Sequence, residues 1–257
     1  MRNSRSFYTR YEAFILGSLG MIGILVLWQC ASWFEWVNPV LMSRPTQVAL
    51  ALVNWAESGD LLRDVWTTLW SLTFAFVASA LIGIPLGVAM GWNRTTEYAL
   101  DPFIWGLYSA PLIAFWPLFI IWFGIGKSSI IALAFVFSVV QIVINTVEGI
   151  KGLSPLLNLC ARSFRARPID LFFKFMLPGA LPMIIAGLRL AVGRALIGVL
   201  VGELFCANAG LGYHISFYGA RLFFGDVFAG LFLLVALGVS ATQGIRAIET
   251  RFAHWKP

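Results

Sequence analysis

The residues that could do covalent or metal chemistry are few, and their spacing denies most of it. His214 stands in a loop reading GLGYHISFYGAR and His254 in the C-terminal tail, neither with a second ligand at metal-site spacing. An imidazole titrates near neutral pH, yet a lone loop histidine reads first as a surface residue. Cys30, Cys160 and Cys206 are odd in number, far apart and free of any CxxC or Cys/His pattern, so they read as free thiols. GIGKSS at positions 124–129 ends like a phosphate-binding loop, but the glycine such a loop requires five residues before Gly126 is Ile121. What remains is electrostatic. Lys151, Arg162, Arg165, Arg167 and Lys174 lie in a polar stretch from Glu148 to Pro182, too hydrophilic to cross a bilayer, between two long apolar runs. Arg189, Arg194 and Glu203 lie inside the second of those runs.

The elements that must position these charges are membrane spans. The 257 residues are 60% hydrophobic and only 12% charged, and the mean hydropathy is +0.84, whereas an ordinary soluble domain is about one quarter charged. The apolar runs approach the ~20 residues a helix needs to cross the hydrocarbon, not the ~10-residue alternation of a barrel strand. The fold class is therefore all-α and polytopic, with six spans at about 13–34, 65–91, 102–123, 128–146, 183–206 and 227–243. Residues 1–12 and 245–257 flank a membrane domain at 13–244. Thr46 is placed to cap a surface-lying helix carrying Val48, Leu52, Val53 and Trp55. Gly83, Gly87 and Gly91 form a small-residue seam on the second span. Pro85, Pro111 and Pro117 predict kinks or breaks that protein must shield or that must line a cavity.

Charge gives the orientation. Six spans put both termini on one side. With that side inward, the inner segments hold twelve basic residues: Arg2, Arg5, Arg10, Arg94, the five of the polar stretch, Arg246, Arg251 and Lys256. The outer segments hold four, Arg44, Arg63, Lys127 and Arg221. The positive-inside rule then places the termini and the polar stretch in the cytoplasm.

Inside that stretch, Ser154-Pro155 reads as a helix start, Arg167-Pro168 as a stop or restart, and Leu177-Pro178 and Leu181-Pro182 as stops before the membrane. Two short helices follow. On the second, Ile169, Phe172, Phe173 and Met176 share a face suited to a groove, while Asp170 and Lys174 stay wet. A basic amphipathic loop lying on lipid headgroups is the alternative.

The stretch ARSFRARPIDLFFKFMLPGALPMIIAGLRLAVGRALIGVLVGEL resembles the cytoplasmic-loop signature of permease subunits of binding-protein-dependent ABC importers, in the nitrate/sulfonate/taurine-type branch. SRPTQV, GIPLGVAMG, LDPFI, APLIAFWPLFIIWFGIG, INTVEGI and GLGY agree in order along nearly the whole chain. The resemblance implies a type I importer permease fold whose loop at 147–182 couples to ATPase subunits. Leu159, Ala161, Ser163 and Arg165 would carry that contact in the first half of the loop. Asp170, Phe172, Phe173, Leu177 and Pro178 would carry it in the second. Of the family's Glu-Ala-Ala and the glycine four residues after it, this chain keeps only Ala161, with Leu159, Cys160 and Arg165 at the other positions; since only glycine takes positive φ freely, Arg165 alters the docking bend that the resemblance implies.

The resemblance further implies two ATPase partners holding ATP and Mg, a second permease copy, a solute-binding protein and a bacterial inner-membrane location, with no cofactor in this chain. Trp55, Tyr213 and Tyr218 are candidates for touching the delivery protein. Arg189 and Arg194 lie roughly 9 and 17 Å beyond Met183 at 1.5 Å per residue, and an arginine near the midplane costs about 2.5–3.5 kcal/mol. They would line an anion pathway or pair within the protein. Glu203 would gate or pack at least as readily as touch a solute. The expected cargo is a small anion such as nitrate, bicarbonate, a sulfonate or taurine, with a pyrimidine precursor or aromatic acid as the alternative. An ion-driven transporter would instead want midplane carboxylates, and an intramembrane enzyme a nucleophile and base at depth.

Overall fold

The computed structural model describes residues 4–34, 36, 43–153, 163 and 167–252. Ser154, Pro155, Leu159, Ala161 and Arg165 lie outside them. Among the described residues there is no strand. The helices are α1 (Ser4–Trp33), α2 (Pro45–Glu57), α3 (Asp60–Trp92), α4 (Arg94–Ser109), α5 (Trp116–Phe123), α6 (Lys127–Lys151), α7 (Pro168–Leu171), α8 (Leu177–Cys206), α9 (Leu211–Gly219) and α10 (Phe224–Phe252). Five helical stretches are long and apolar enough to cross a membrane, and a bent pair makes a sixth.

The centre is the packing of α6 between α3 and α8. Lipid tails give apolar helices no reason to associate, so close backbone approach must supply the contact. The seam on α3 does this: Gly83 meets Ile142, Gly87 meets Thr146 and Gly91 meets Ile150, all on α6. A β-carbon at Gly87 would sit 2.6 Å from that of Thr146 and 2.9 Å from the carbonyl of Val143. On the opposite side of α6, Gly198 of α8 lies so near Ala134 that a β-carbon would come within 2.5 Å of its Cα. Ala134, Ile142, Val143, Ala195 and Val199 are sealed between these helices. Ser79 and Ser138 join α3 to α6 in the same layer, hydroxyl to hydroxyl at 2.6 Å.

Three sequence expectations are corrected. The third span is not a straight run over 102–123: α4 begins at Arg94, and the chain turns by 93° between Ser109 and Leu112. Pro111 has no N–H to continue α4 and pushes Ala110 into an extended conformation. A 3-10 turn (Leu112–Phe115) then leads into α5. Pro117 opens α5, where a missing donor costs nothing, and Pro85 sits inside an unbroken α3.

Leu177-Pro178 does not stop a helix but starts α8, and Pro182 lies within it. A π-helical turn (Phe172–Met176) joins α7 to α8, so one apolar helical stretch runs from Ile169 to Cys206. The surface helix is entered by Pro45 with Arg44 as the preceding cap position, not by Thr46: the Arg44 N–H donates to Gln47 Oε1 at 2.9 Å. It buries Val48, Ala51 and Trp55 and leaves Val53 exposed.

Candidate functional site

At the bundle end that carries α2 and α9, a buried polar cluster joins three separate parts of the chain. Glu203, near the end of α8, is fully buried. Its carboxylate accepts the Thr68 hydroxyl of α3 at 2.8 Å and the Gly212 N–H at 2.8 Å. Thr68 Oγ1 in turn accepts the Leu211 N–H at 2.9 Å, and Asp64, also buried, accepts the Gly210 N–H at 2.9 Å. The first amide groups of α9 are thus satisfied by side chains from α3 and α8, which anionic groups at a helix start suit. Gly210 is required twice over. Its φ is +123°, and a β-carbon there would lie 2.5 Å from the Glu203 carboxylate.

Beside this cluster His214 stacks on Trp55, ring centroids 3.4 Å apart and planes 14° apart. Both are buried, so neither is the surface contact that the sequence suggested; Tyr213 and Tyr218 are half-buried. Burial drives the His214 imidazole down from its ordinary 6.5 to about 4, with Asp60 opposing the shift. The structure therefore holds this ring neutral.

Midway along α8, Arg194 lines a cavity of about 220 Å³ at the α4–α5 elbow, with Tyr108, Pro111, Ile113, Phe137 and Gln141 among its neighbours. Arg194 is exposed. Arg189, one and a half turns away, pairs with Glu249 of α10 at 2.8 Å.

At the opposite end, α7 and the π turn put Ile169, Phe173 and Phe175 outward. Phe172 is half-buried, edge-on to Trp92 of α3 at 5.0 Å. Phe172, Ile169 and Trp92 line an apolar groove of about 500 Å³ together with Pro85, Val88 and Ala89. Asp170 and Lys174 pair with each other at 2.7 Å. Leu177 and Pro178 are half-buried, and Ser163 is helical and exposed.

Residues 83–254 match the family described as the binding-protein-dependent transport system inner membrane component. The chain belongs to this family. It is 31% identical to a putative aliphatic sulfonates transport permease protein, SsuC, of Bacillus subtilis, over 91% of this chain and 84% of that one. It is 30% identical to the taurine transport system permease protein TauC of Escherichia coli, over 93% and 89%. In fold it is similar to a chain of an inward-facing structure of the MetNI methionine ABC transporter, with a TM-score of 0.65 at 22% identity over 75% of this chain and 95% of that one.

The chain is accordingly the membrane permease subunit of an ABC importer, a multi-pass inner-membrane protein that works with ATPase and solute-binding partners and leaves nucleotide chemistry to the former. The ion-driven and enzymatic readings lapse. Of the permease's residues singled out beforehand, Arg189 and Glu203 are held by protein partners, while Arg194 faces open space. Sequence reasoning missed Asp64, Thr68, Tyr108 and Gln141. The first two stood in apolar or interfacial runs with nothing in their local spacing to name Glu203, 135 positions from Thr68, as a partner.

Proposed function

We propose that the permease imports a small organic anion of the sulfonate or taurine kind, working as a homodimer with two ATPase subunits, with both termini and the loop at 147–182 in the cytoplasm. The relatives' names and the basic excess on the loop side support the cargo class and the orientation. One observation carries the coupling mechanism: the outward apolar residues Ile169 and Phe173 stand on a helical piece that runs into α8 without a break. A push on α7 by an ATPase therefore moves the helix that holds Arg194 and Glu203. Ligands that favour different positions of that lever suffice for alternating access.

Replacing Phe173 with Asp tests this in the assembled complex. The variant should insert and assemble, because Phe173 is exposed, yet lose transport-stimulated ATP hydrolysis by about tenfold or more, the effect of truncating an interface anchor worth at least 1.4 kcal/mol. Unchanged coupled hydrolysis would remove α7 from the docking surface. Phe172→Asp should instead damage the permease itself, lowering its folded yield through the lost contact with Trp92.

A further inference from the structure

We propose that the elbow cavity is a binding subsite of the permease itself, taking the head group of a monovalent oxyanion, with Arg194 as its charged ligand. The inference rests on the anion-import reading and specifies where in the membrane the anion pauses. Arg194 is seventeen residues after Leu177 and twelve before Cys206 in α8, which places it roughly 18 Å from the α9 end of the helix at 1.5 Å per residue. At that depth an arginine facing hydrocarbon costs about 2.5–3.5 kcal/mol, so its guanidinium must meet protein, water or solute.

The described residues of this chain supply no partner. Among the described residues Arg194 makes no ion pair and no hydrogen bond, and no acidic residue lines the cavity. Arg189 shows the contrast: in the same helix, its charge is met by Glu249.

The cavity has the other attributes of a solute site. It is formed where a span is broken by 93°, and irregular backbone at membrane depth is tolerated where it lines a cavity. Transporters use such interrupted spans to bind solutes. Gln141 adds an amide from α6 and Tyr108 a hydroxyl from the end of α4, both neutral donors beside one fixed positive charge. Planar guanidinium geometry matches two oxygens of a sulfonate or carboxylate at once. The volume, about 220 Å³, lies below the roughly 300 Å³ at which drug-sized sites begin, which suits a solute of a few heavy atoms. The apolar wall from Phe137 and Pro111 leaves room for a short carbon chain and offers a second charge nothing.

The test uses the permease assembled with its ATPase, with Cys30, Cys160 and Cys206 replaced by serine and Ile113→Cys introduced on the cavity wall. Two thiol reagents of similar size are compared, an anionic sulfonatoethyl and a cationic trimethylammonioethyl methanethiosulfonate. The anionic reagent should label faster, and Arg194→Gln should lower the anionic-to-cationic rate ratio by about tenfold or more, as expected where a charge focuses ions in a low-dielectric cleft. Arg194→Lys should keep most of the ratio. Ethanesulfonate should slow labelling and neutral dimethyl sulfone should not. A ratio that ignores Arg194→Gln, with no protection by ethanesulfonate, overturns the subsite.

Should Arg194→Gln fail to assemble, Gln141→Leu and Tyr108→Phe each weaken ethanesulfonate protection severalfold if the site is real, and leave it untouched if it is not. The two readings separate cleanly. A complex that imports sulfonates but labels without regard to Arg194 keeps the import reading and loses the subsite. One that shows the charge-selective site without ATP-driven sulfonate uptake keeps the subsite and loses the proposed cargo.

Discussion

Glu203 is the residue whose role changes most between sequence and structure. Its type and depth suggested gating or packing at least as readily as a solute contact, and its burial with Thr68 and Gly212 gives it a packing role, as the pin that holds α9 against α3 and α8. Thr68 is the shared member, donating to Glu203 while accepting from Leu211. Thr68→Val removes both bonds and leaves the buried Leu211 N–H and Glu203 Oε1 without those partners, while Oε2 keeps the Gly212 N–H; this costs about 1–3 kcal/mol. Thr68→Ser should cost clearly less, and thermal unfolding of the detergent-solubilised protein reads the difference. His214 gives a pH signature. Its folded-state value near 4 lies below the ordinary 6.5, so the unfolded chain binds the extra proton first. The stability it contributes is present above pH 6.5 and is lost as pH falls from there to 4. His214→Phe keeps an aromatic ring on Trp55 and cannot titrate, so the difference in melting temperature between it and the parent should change across that window and nowhere above it. Beyond Glu203's own packing, little of this was legible in the sequence. The quoted GLGY marked the loop correctly, but a hydrogen-bonded cluster assembled from positions 64, 68, 203 and 210–212 leaves no periodic trace in any one segment.

At the scale of elements, the spans were legible wherever length and apolarity decide, and the glycine seam on α3 was legible because four-residue spacing fixes a helix face. Prolines were legible only in part: Pro111 breaks the chain as expected, but the same residue type opens a helix at Pro117 and Pro178 and rides inside one at Pro85 and Pro182. The outcome depends on whether neighbours take over the lost backbone bond, a tertiary property. Where the seam sets the packing, substitutions should divide sharply. Gly87→Val places side-chain carbons against the Val143 carbonyl and Thr146, which cannot yield without moving α6, and should cost about 1–3 kcal/mol or more. Gly106→Ala in α4 meets nothing within 4 Å and should be neutral or stabilising by up to about 1 kcal/mol from helix propensity. Folded yield and melting temperature of the two variants give the comparison.

For the whole molecule, the question is which surfaces meet lipid and which meet a second copy. On α10, Phe232, Val235 and Val239 form an exposed stripe that is apolar throughout and suits acyl chains. On α8, Leu190 and Ile197 flank Arg194 on a second exposed stripe. A charge at mid-depth excludes lipid from that stripe, so α8 must face an aqueous path or another protein. A single copy supplies only one wall of such a path, which supports the proposed homodimer. Leu190→Cys or Ile197→Cys, placed one at a time in a cysteine-free background, should therefore link two permease chains through a short bifunctional thiol reagent in membranes. Val235→Cys on α10 should not. The yield at position 197 should also change when the ATPases are trapped with a non-hydrolysable nucleotide, because the proposed lever that begins at α7 ends in this helix. Cross-linking at 235 but not at 190 or 197 would turn the molecule around, putting α10 at the dimer axis and Arg194 on the outside, where the cost of its charge would need a different partner.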